Sequence, residues 1–531
     1  MSKHVHKPGC NCCGLSRRQF VTAGAGAFAA ATGVTAISST QPVFAQGPGK
    51  KLKIRVFFAI WEEVQDNVQI DWPGRGYDFR PVLARYKGAL ESVLPDYELV
   101  YSIASNPDAV NQILAEDGDS VHGYILFGMN NGIQLIGPLQ GSGRPTLYCD
   151  YHFGGCGQFL IYTAHLLRAK IENVGFIASS QLADVLVAAK CFDVIAKGGT
   201  PKEFSEAVTK VRKERTKPYN ERLKIVEDKV DCLSTRELLE KLKGVKLLVV
   251  GNTGQGFAGS AKETFGMEII DLPFDDLNNA WNKALEEKTE ALKIANRWKK
   301  EATTVEPGID DEELFKSAAM YLAEKSLLDQ HGAFGITINC LGGFYGGAIH
   351  AYPCLGFFEL NNTGKVGVCE SDIRSALTHC ILTTLTKGRP CFVSDPILDI
   401  STRQAIYAHC VAPSRMLGPD GPANGYEILR HAEDRQGASI RSLTPTRHMV
   451  TTIEIDTPSK RILFHQGVAV ANSYSDEGCR TKMCVEIPGD FEKLHTEWDH
   501  WGWHRVTVFG DLKKEIFELA DAIGYTIVEE A

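Results

Sequence analysis

Short runs of β-branched and aromatic residues alternate with helix-like stretches along most of this chain, and no other feature constrains its fold as strongly. The first apolar run covers 54–60, helical periodicity follows over 81–93, and a short apolar run returns at 123–127. Strands that alternate with helices form parallel sheets whose faces are covered by the helices. The pattern therefore predicts an α/β protein.

The chain is too long for one ordinary domain. Its 531 residues correspond to about three domains of ~150 residues each. A second α/β unit is expected from residue 173, and after about residue 390 strand-like runs separated by turns replace the alternation. We predict two doubly wound α/β domains, at 51–172 and 173–388, followed by a sheet-rich domain at 389–531.

Composition excludes several classes of protein. With 44% apolar and 23% charged residues, the chain is globular and too apolar to be disordered. The 57 Lys and Arg residues against 65 Asp and Glu give a net charge of −8 at pH 7. A nucleic-acid binder needs a broad basic surface, so we expect no nucleic-acid partner.

The N-terminal segment is typical of an export signal. Arg17 and Arg18 precede an uncharged run, 21–38, which is rich in Ala, Gly and Thr, and small residues follow up to Ala45. This is the order of a secretory signal, and the arginine pair indicates the twin-arginine type. A membrane anchor would need about 20 strongly apolar residues. We predict a signal peptide at 1–45, the twin-arginine translocase as a partner, and a periplasmic or secreted protein.

The cysteines do not indicate a disulfide scaffold or a zinc finger. Three of the 15 cysteines lie in the predicted signal, and none of the others forms a Cys-x-x-Cys pair. Disulfide frameworks belong to small secreted domains, and zinc fingers need closely paired ligands. We expect most of these cysteines to be buried as small apolar residues.

A glycine motif suggests a nucleotide site that we do not favour. Gly254, Gly256 and Gly259 follow the apolar run 247–250, and Asp271 ends the next run, which matches the dinucleotide-binding fingerprint. The first of these glycines comes four residues after the run, whereas the fingerprint needs it at the strand tip. We therefore predict a Gly-rich loop and no cofactor-binding residue here.

Two acids indicate a cation site. Glu370 and Asp395 each end a short apolar run among small residues. The C-terminal edge of the strands is where α/β domains place their chemistry, and carboxylate oxygens suit Mn²⁺ or Mg²⁺. For either acid alone, a helix N-terminal residue or a turn former is the simpler interpretation.

The second half of the chain resembles the L-fucose/L-arabinose isomerase superfamily, in particular its fucose-isomerase branch. The resemblance is carried by Cys369-Glu370-Ser371-Asp372, Ser394-Asp395, Ala408-His409-Cys410, Gly502-Trp503-His504 and Gly510-Asp511. It implies that the two α/β domains are followed by a C-terminal antiparallel β-barrel. It also implies assembly as a homotrimer or homohexamer.

The resemblance further implies a metal centre. It maps the family's metal ligands onto Glu370, Asp395 and His504, with Mn²⁺ or another divalent cation polarising the carbonyl of an open-chain sugar. Glu370 and Asp395 would be the catalytic residues that move a proton between C1 and C2 through an ene-diol. His409 is expected either to line the pocket or to be structural, and His500 is a weaker candidate than His504.

The function expected from these observations is a metal-dependent aldose–ketose isomerase acting on a carbohydrate. A periplasmic sugar-binding protein on the same fold is the alternative from another class, although binding alone does not need three metal positions. A nicotinamide-dependent oxidoreductase built on the glycine motif is the less favoured third hypothesis. Export is unusual for a free-sugar isomerase. Action on a related substrate, or epimerisation with the same metal, therefore stays an alternative.

Overall fold

The predicted signal peptide lies outside the part of the chain that the computed structural model describes, which is residues 51–68 and 71–531. Over these ranges the protein contains two parallel sheets, a larger mixed sheet and a small three-stranded sheet. None of the helices described there is long and apolar enough to cross a membrane. The predicted α/β class is confirmed.

The first sheet has five parallel strands in the order β2-β1-β3-β4-β5. Its strands are β1 (Leu52–Ala59), β2 (Tyr97–Ala104), β3 (Gly123–Gly128), β4 (Thr146–Asp150) and β5 (Val174–Ile177). The helices of this region are α1 (Arg80–Val93), α2 (Pro107–Asp117), α3 (Ile136–Gly141), α4 (Cys156–Arg168), α5 (Leu182–Ala189), α6 (Phe192–Ala196) and α7 (Pro201–Arg215). A 3₁₀ turn, Gly118–Ser120, precedes β3.

Strand β5 does not start a second sheet. The sequence places the beginning of the second α/β unit at residue 173, but β5 pairs in parallel with β4. The predicted boundary at residue 172 therefore falls between two paired strands. An apolar run shows that a strand forms there, and only the pairing shows which sheet it joins. The division into domains stays a prediction.

The second sheet has four parallel strands in the order β10-β9-β6-β7. Its strands are β6 (Lys246–Val250), β7 (Glu268–Leu272), β9 (Gly335–Ile338) and β10 (Val366–Val368), while β8 (Thr304–Val305) belongs to the small sheet. The helices are α8 (Thr235–Leu242), α9 (Gln255–Phe265), α10 (Phe274–Glu286), α11 (Lys288–Glu301), α12 (Asp311–His331), α13 (Cys340–Tyr345), α14 (Cys354–Asn362) and α15 (Ile373–Leu385). Helices α10 and α11 are separated at Glu287.

The third sheet has seven strands. They are β11 (Cys391–Asp399), β12 (Gln404–His409), β15 (His448–Asp456), β16 (Arg461–Asn472), β17 (Thr481–Glu486), β18 (Arg505–Phe509) and β19 (Thr526–Glu529). The small sheet adds β13 (Tyr426–Leu429) and β14 (Ser439–Ser442) to β8, and the remaining helices are α16 (Phe491–Glu497), the 3₁₀ turn Trp498–Trp501 and α17 (Lys513–Ile523).

An entirely antiparallel C-terminal sheet was the expectation, and it is wrong in one respect. The short strand β19 pairs in parallel with β16, so the sheet is mixed. This strand follows α17, which provides the crossover that a parallel pair requires. Two of its four residues are exposed and two are half-buried, so the sequence carries no strong apolar pattern there.

Helix α15 joins the second and third sheets. Eleven of its 13 residues are buried, and side chains such as Leu377 share one core with Val368 of β10 and Val508 of β18. Complete burial of a leucine or valine contributes about 1.5–3 kcal/mol, so this core fixes the helix firmly. The residues that immediately precede α15 are thereby held against the third sheet.

Candidate metal and catalytic site

Glu370 lies in a strained turn between β10 and α15. Its φ is 63° and that of Ser371 is 52°, both in the left-handed region. Such a conformation costs a non-glycine residue of order 1–3 kcal/mol and persists only where the surroundings determine it. Here the Ser371 N–H donates to the Ile338 carbonyl over 3.0 Å, and Asp372 accepts from the Ser375 N–H over 3.2 Å as the N-cap of α15.

Asp395 lies inside a strand and not at its end, which corrects the sequence interpretation. It pairs with Ala408 in the β11–β12 ladder, and the ladder continues to Asp399. A turn former was the simpler interpretation of this acid alone, but the strand runs on through Pro396, beyond the point where the pairing of β11 with β18 ends at Ser394. Asp395 is only 1% exposed, so its carboxylate lies in a dry region.

His504 lies just before β18, and a second acid determines its tautomer. Its Nδ1 is 2.9 Å from Asp372 Oδ2. In the neutral ring, a carboxylate at Nδ1 keeps the proton on that nitrogen and leaves the Nε2 lone pair available for a cation. Nε2 lies 3.6 Å from Asp395 Oδ1 and 3.9 Å from Glu370 Oε2. The three predicted ligands are therefore brought together around this nitrogen.

The charge balance of the cluster favours a cation. Burial disfavours a charged imidazole, but the carboxylates of Asp395, Asp372 and Glu370 outweigh it and raise the pKa of His504 to about 10. His504 Nε2 is buried and has no hydrogen-bond partner among the described residues. Two carboxylates and one imidazole nitrogen are donors that a hard or borderline divalent ion accepts. The residues present therefore fit such an ion.

His409 belongs to this cluster, although the sequence left its role open. Its Nε2 is 3.7 Å from Glu370 Oε1, and its ring centroid is 5.1 Å from that of His504. Possible ligand atoms of Glu370, His409 and His504 lie within 4.8 Å of one another, and so do those of His409, Cys410 and Cys479. Because His409 Nδ1 accepts from the Cys410 N–H over 2.9 Å, the neutral ring carries its proton on Nε2. We therefore interpret His409 as a donor facing Glu370 and not as a ligand.

The structure separates His500 from the cluster and adds Asp372 to it. His500 has a 40% exposed side chain, and its nearest acid is Glu497, at 4.0 Å. In the sequence, Asp372 was only part of the motif Cys369-Glu370-Ser371-Asp372, with no role of its own. Its contact with His504 joins residues 132 positions apart, and no local pattern reports such a contact.

The glycine loop after β6 does not have the geometry of a dinucleotide site. A Cβ at Gly256 or Gly259 would meet nothing within 4 Å, whereas the fingerprint uses these positions for close approach. Asp271 accepts from the Gly254 N–H and from Thr253 Oγ1, both over 2.8 Å. The acid expected to bind a ribose instead fixes its own loop, which weakens the oxidoreductase hypothesis.

Fold and site together define an α/β protein with a buried carboxylate–imidazole cluster, an arrangement suited to metal-assisted proton transfer. Among proteins of known function, the chain is 24% identical over 304 residues to the sulfoquinovose isomerase of Clostridium sp. (strain MSTE9). It is 22% identical over 306 residues to the sulfoquinovose isomerase of Alkalicoccus urumqiensis. Each match covers 55% of this chain and 66% of the relative, slightly under two thirds of its length.

No protein-family model matches the chain. The two similarities are low in identity, and both are to isomerases. They support placing this chain in an isomerase superfamily.

Proposed function

We propose that this protein is a metal-dependent aldose–ketose isomerase of the fucose/arabinose type that acts on a carbohydrate. The observation that carries the proposal is the convergence of Glu370, Asp395 and His504, with Asp372 fixing the imidazole tautomer. The similarity to two sulfoquinovose isomerases supports the same class of reaction.

The metal ligands in this proposal are one oxygen each of Glu370 and Asp395 and Nε2 of His504. When bound, Mn²⁺ or another divalent cation would polarise the sugar carbonyl as a Lewis acid. Asp372 acts behind the ligands, because an acid on the distal nitrogen of a ligating histidine orients the ring and raises its basicity.

The chain's own carboxylates would move the proton. Conversion of an aldose to a ketose removes a proton from C2 and returns one to C1, which requires a base within hydrogen-bond reach. The Glu370 side chain is 17% exposed and that of Asp395 is 1% exposed. Glu370 is thus the carboxylate more open to a sugar, and Asp395 the one held in dry surroundings. His409 Nε2–H would orient Glu370 during the transfer.

Sulfoquinovose is our first candidate substrate because both relatives carry that sugar in their names. L-Fucose and L-arabinose are the next candidates, on the resemblance that the site motifs show. A sugar-binding protein remains the alternative function. Tight binding of a sugar without conversion in the presence of Mn²⁺ would favour that alternative.

Further features of the proposal concern architecture and location. We propose that β11, β12, β15, β16, β17 and β18 close into a barrel, supported by the pairing of β15 with both β16 and β18. We also propose assembly as a trimer or hexamer. Export by the twin-arginine route is proposed from Arg17 and Arg18 together with the uncharged run 21–38 and the small residues up to Ala45. Replacing both by lysine should leave a folded precursor in the cytoplasm, and unchanged export would refute the signal.

Metal analysis of the purified protein tests the site. We expect about one divalent ion per chain in the parent, and loss of that ion in Glu370→Gln, Asp395→Asn and His504→Ala with the fold retained. His500→Ala is the matched control, because this imidazole is close in sequence but outside the cluster. Full metal occupancy in all three ligand variants would refute the site.

A further inference from the structure

A second reactive cluster lies behind the proposed site and contains two buried thiols. Cys410 directly follows β12, and Cys479 lies just before β17, its antiparallel neighbour, at the end of the ladder where His409 pairs with Thr481. The two Sγ atoms are 3.2 Å apart. Cys410 is 1% exposed and Cys479 is 5% exposed, and both are free thiols.

An imidazole and a carboxylate complete the cluster. His431 lies beside Cys410, and its Nδ1 lies 3.4 Å from Asp434 Oδ1. Asp434 also accepts a hydrogen bond from the Tyr352 hydroxyl. A thiol beside an imidazole that is oriented by an acid is the arrangement that activates cysteine as a nucleophile.

The electrostatics agree with this geometry. The hydrogen bond with Cys479 and the charge on His431 lower the pKa of the Cys410 thiol well below its usual range, against the effect of burial. Burial alone would lower the pKa of His431, but Cys410 and Asp434 raise it well above its usual value. Burial raises the pKa of the Cys479 thiol. These directions make Cys410 the more acidic thiol of the pair.

A cavity lies next to this cluster, although neither thiol lines it. It has a volume of about 350 Å³, and its lining includes Tyr352, Asp434 and the cationic Arg75. Tyr352 and Asp434 both contact His431, the former with ring centroids 5.4 Å apart. The cavity therefore ends on the groups that surround the Cys410–His431 pair.

We propose that Cys410 and Cys479 form a redox-active dithiol that a low-molecular-weight disulfide oxidises to an intramolecular disulfide. The Cys410 thiolate attacks one sulfur of the reagent, the reagent's S–S bond breaks, and a mixed disulfide forms with release of one thiolate. Cys479 then loses its proton and attacks the Cys410 sulfur, which releases the second reagent thiolate. The dithiol loses two electrons, and its two protons, one released when the Cys410 thiolate forms and one from Cys479, end on the two reagent thiols.

Another thiol cluster in the same protein provides an internal control. Cys369 contacts the thiols of Cys340 and Cys354, and all three are buried. The neighbours that influence the Cys369 thiol are these two thiols and not an imidazole. Sulfur atoms therefore lie close together in both clusters, but only the Cys410–Cys479 cluster is described with an imidazole and an acid, His431 and Asp434, beside it. Disulfide closure from 3.2 Å to about 2.05 Å would also move the backbone next to His409, in the proposed catalytic site.

Thiol mapping of the reduced full chain tests the proposal without relying on the isomerase function. The protein is incubated with oxidised glutathione, its remaining thiols are alkylated, and a non-reducing digest is analysed by mass spectrometry. We expect a Cys410–Cys479 cross-link that accounts for the loss of two thiols, while Cys340, Cys354 and Cys369 are recovered alkylated. Recovery of Cys410 and Cys479 as alkylated thiols, or earlier oxidation of the Cys369 cluster, would overturn the proposal.

A variant separates activation by His431 from simple proximity. His431→Gln should slow formation of the cross-link by about tenfold or more, because it removes the charge that favours the thiolate. Cys484→Ser is the matched control: this buried cysteine of β17 has no sulfur or imidazole contact among the described residues, and its loss should leave the rate unchanged. An unchanged rate in a folded His431→Gln protein would refute the activation. If that variant does not fold, the parent protein provides the test: earlier oxidation of the Cys369 cluster than of Cys410 and Cys479 would refute the activation.

Discussion

Two loops leave the same edge of the second sheet, and only one of them gathers reactive groups. The glycine loop follows β6, and the Glu370 turn follows β10, so both lie at carboxyl ends of parallel strands, where α/β proteins place their sites. In the glycine loop, Asp271 binds backbone and hydroxyl groups of the loop itself. In the Glu370 turn, Asp372 reaches His504 from a different sheet.

Both loops contain an acid, and they differ in where that acid forms its hydrogen bonds. In the glycine loop, Asp271 accepts hydrogen bonds from groups of the same loop. A Cβ at Gly256 or Gly259 would meet no atom within 4 Å. The Glu370 turn adopts a strained backbone and directs its acids toward the third sheet. Strain of this kind persists only where the surroundings determine it and is concentrated at functional sites. Four predictions test this contrast.

The largest effect is expected at the carboxylates of the Glu370 turn and β11. Glu370→Gln and Asp395→Asn keep the shape of each side chain but remove the base, so turnover of an active sugar should fall by about 10²–10⁴-fold. The measurement is the steady-state rate, with circular dichroism to verify folding. A Glu268→Gln control, at the start of β7 and outside both loops, should retain activity. Activity near the parent level in both carboxylate variants would remove the catalytic roles.

A smaller effect is expected when the acid behind His504 is neutralised. Asp372→Asn retains a hydrogen-bonding side chain at the N-cap but no longer selects the Nδ1–H tautomer, so affinity for the divalent ion should fall by about 10–100-fold. A competitive metal titration measures this. In the glycine loop, the equivalent Asp271→Asn change should leave metal affinity unchanged. Equal effects of the two variants would contradict the contrast.

Alanine substitutions within the glycine loop should have opposite effects on stability. Gly251 has a φ of 71°, and a Cβ there would lie 2.1 Å from the Phe274 ring, so Gly251→Ala should destabilise by about 1–3 kcal/mol. Gly256 lies inside α9 with open space around it, so Gly256→Ala should stabilise by up to about 1 kcal/mol. Chemical denaturation compares the two. A large loss of stability at Gly256 would mean that this position makes a close contact after all.

The smallest effect concerns the pH dependence of the helix that follows the Glu370 turn. Glu454 of β15 accepts a hydrogen bond from Ser375 of α15 over 2.6 Å. Burial, followed by the charge of Asp372, raises the pKa of Glu454 to about 8 from 4.5. Between these two values the folded protein binds more protons than the unfolded chain, so stability should fall as pH rises through this window.

Glu454→Gln tests this assignment because glutamine keeps the shape and does not ionise. The free energy of unfolding of the parent should decrease relative to that of the variant between pH 5 and pH 9, by an amount on the order of 1–3 kcal/mol. Denaturant titrations at the two pH values supply the difference. Identical pH dependence in parent and variant would show that Glu454 does not titrate as assigned.

Local features of the fold were predictable from the sequence. Strand β1, helix α1 and strand β3 lie within two residues of the predicted runs 54–60, 81–93 and 123–127. These elements follow from apolar periodicity and turn residues, which act over a few positions. The assignment of β5 to the first sheet and the parallel pairing of β19 could not be predicted, because pairing partners are set by tertiary packing.

The site shows the same division between local and distant information. The predicted ligands Glu370, Asp395 and His504 lie together, and motif resemblance was the source of that prediction. The contact of Asp372 with His504 and the pairing of Cys410 with Cys479 join positions far apart in the chain. Neither residue spacing nor composition carries information about such contacts.

The most direct test of the proposed isomerase is turnover in deuterated water. The purified protein is incubated with Mn²⁺ and sulfoquinovose, L-fucose or L-arabinose, and the products are examined by NMR. Proton transfer by Glu370 and Asp395 predicts conversion of at least one of these sugars, with deuterium at C1 or C2 of the product. Turnover without deuterium at either carbon, at any extent of reaction, would indicate hydride transfer and contradict the acid–base roles of the two carboxylates.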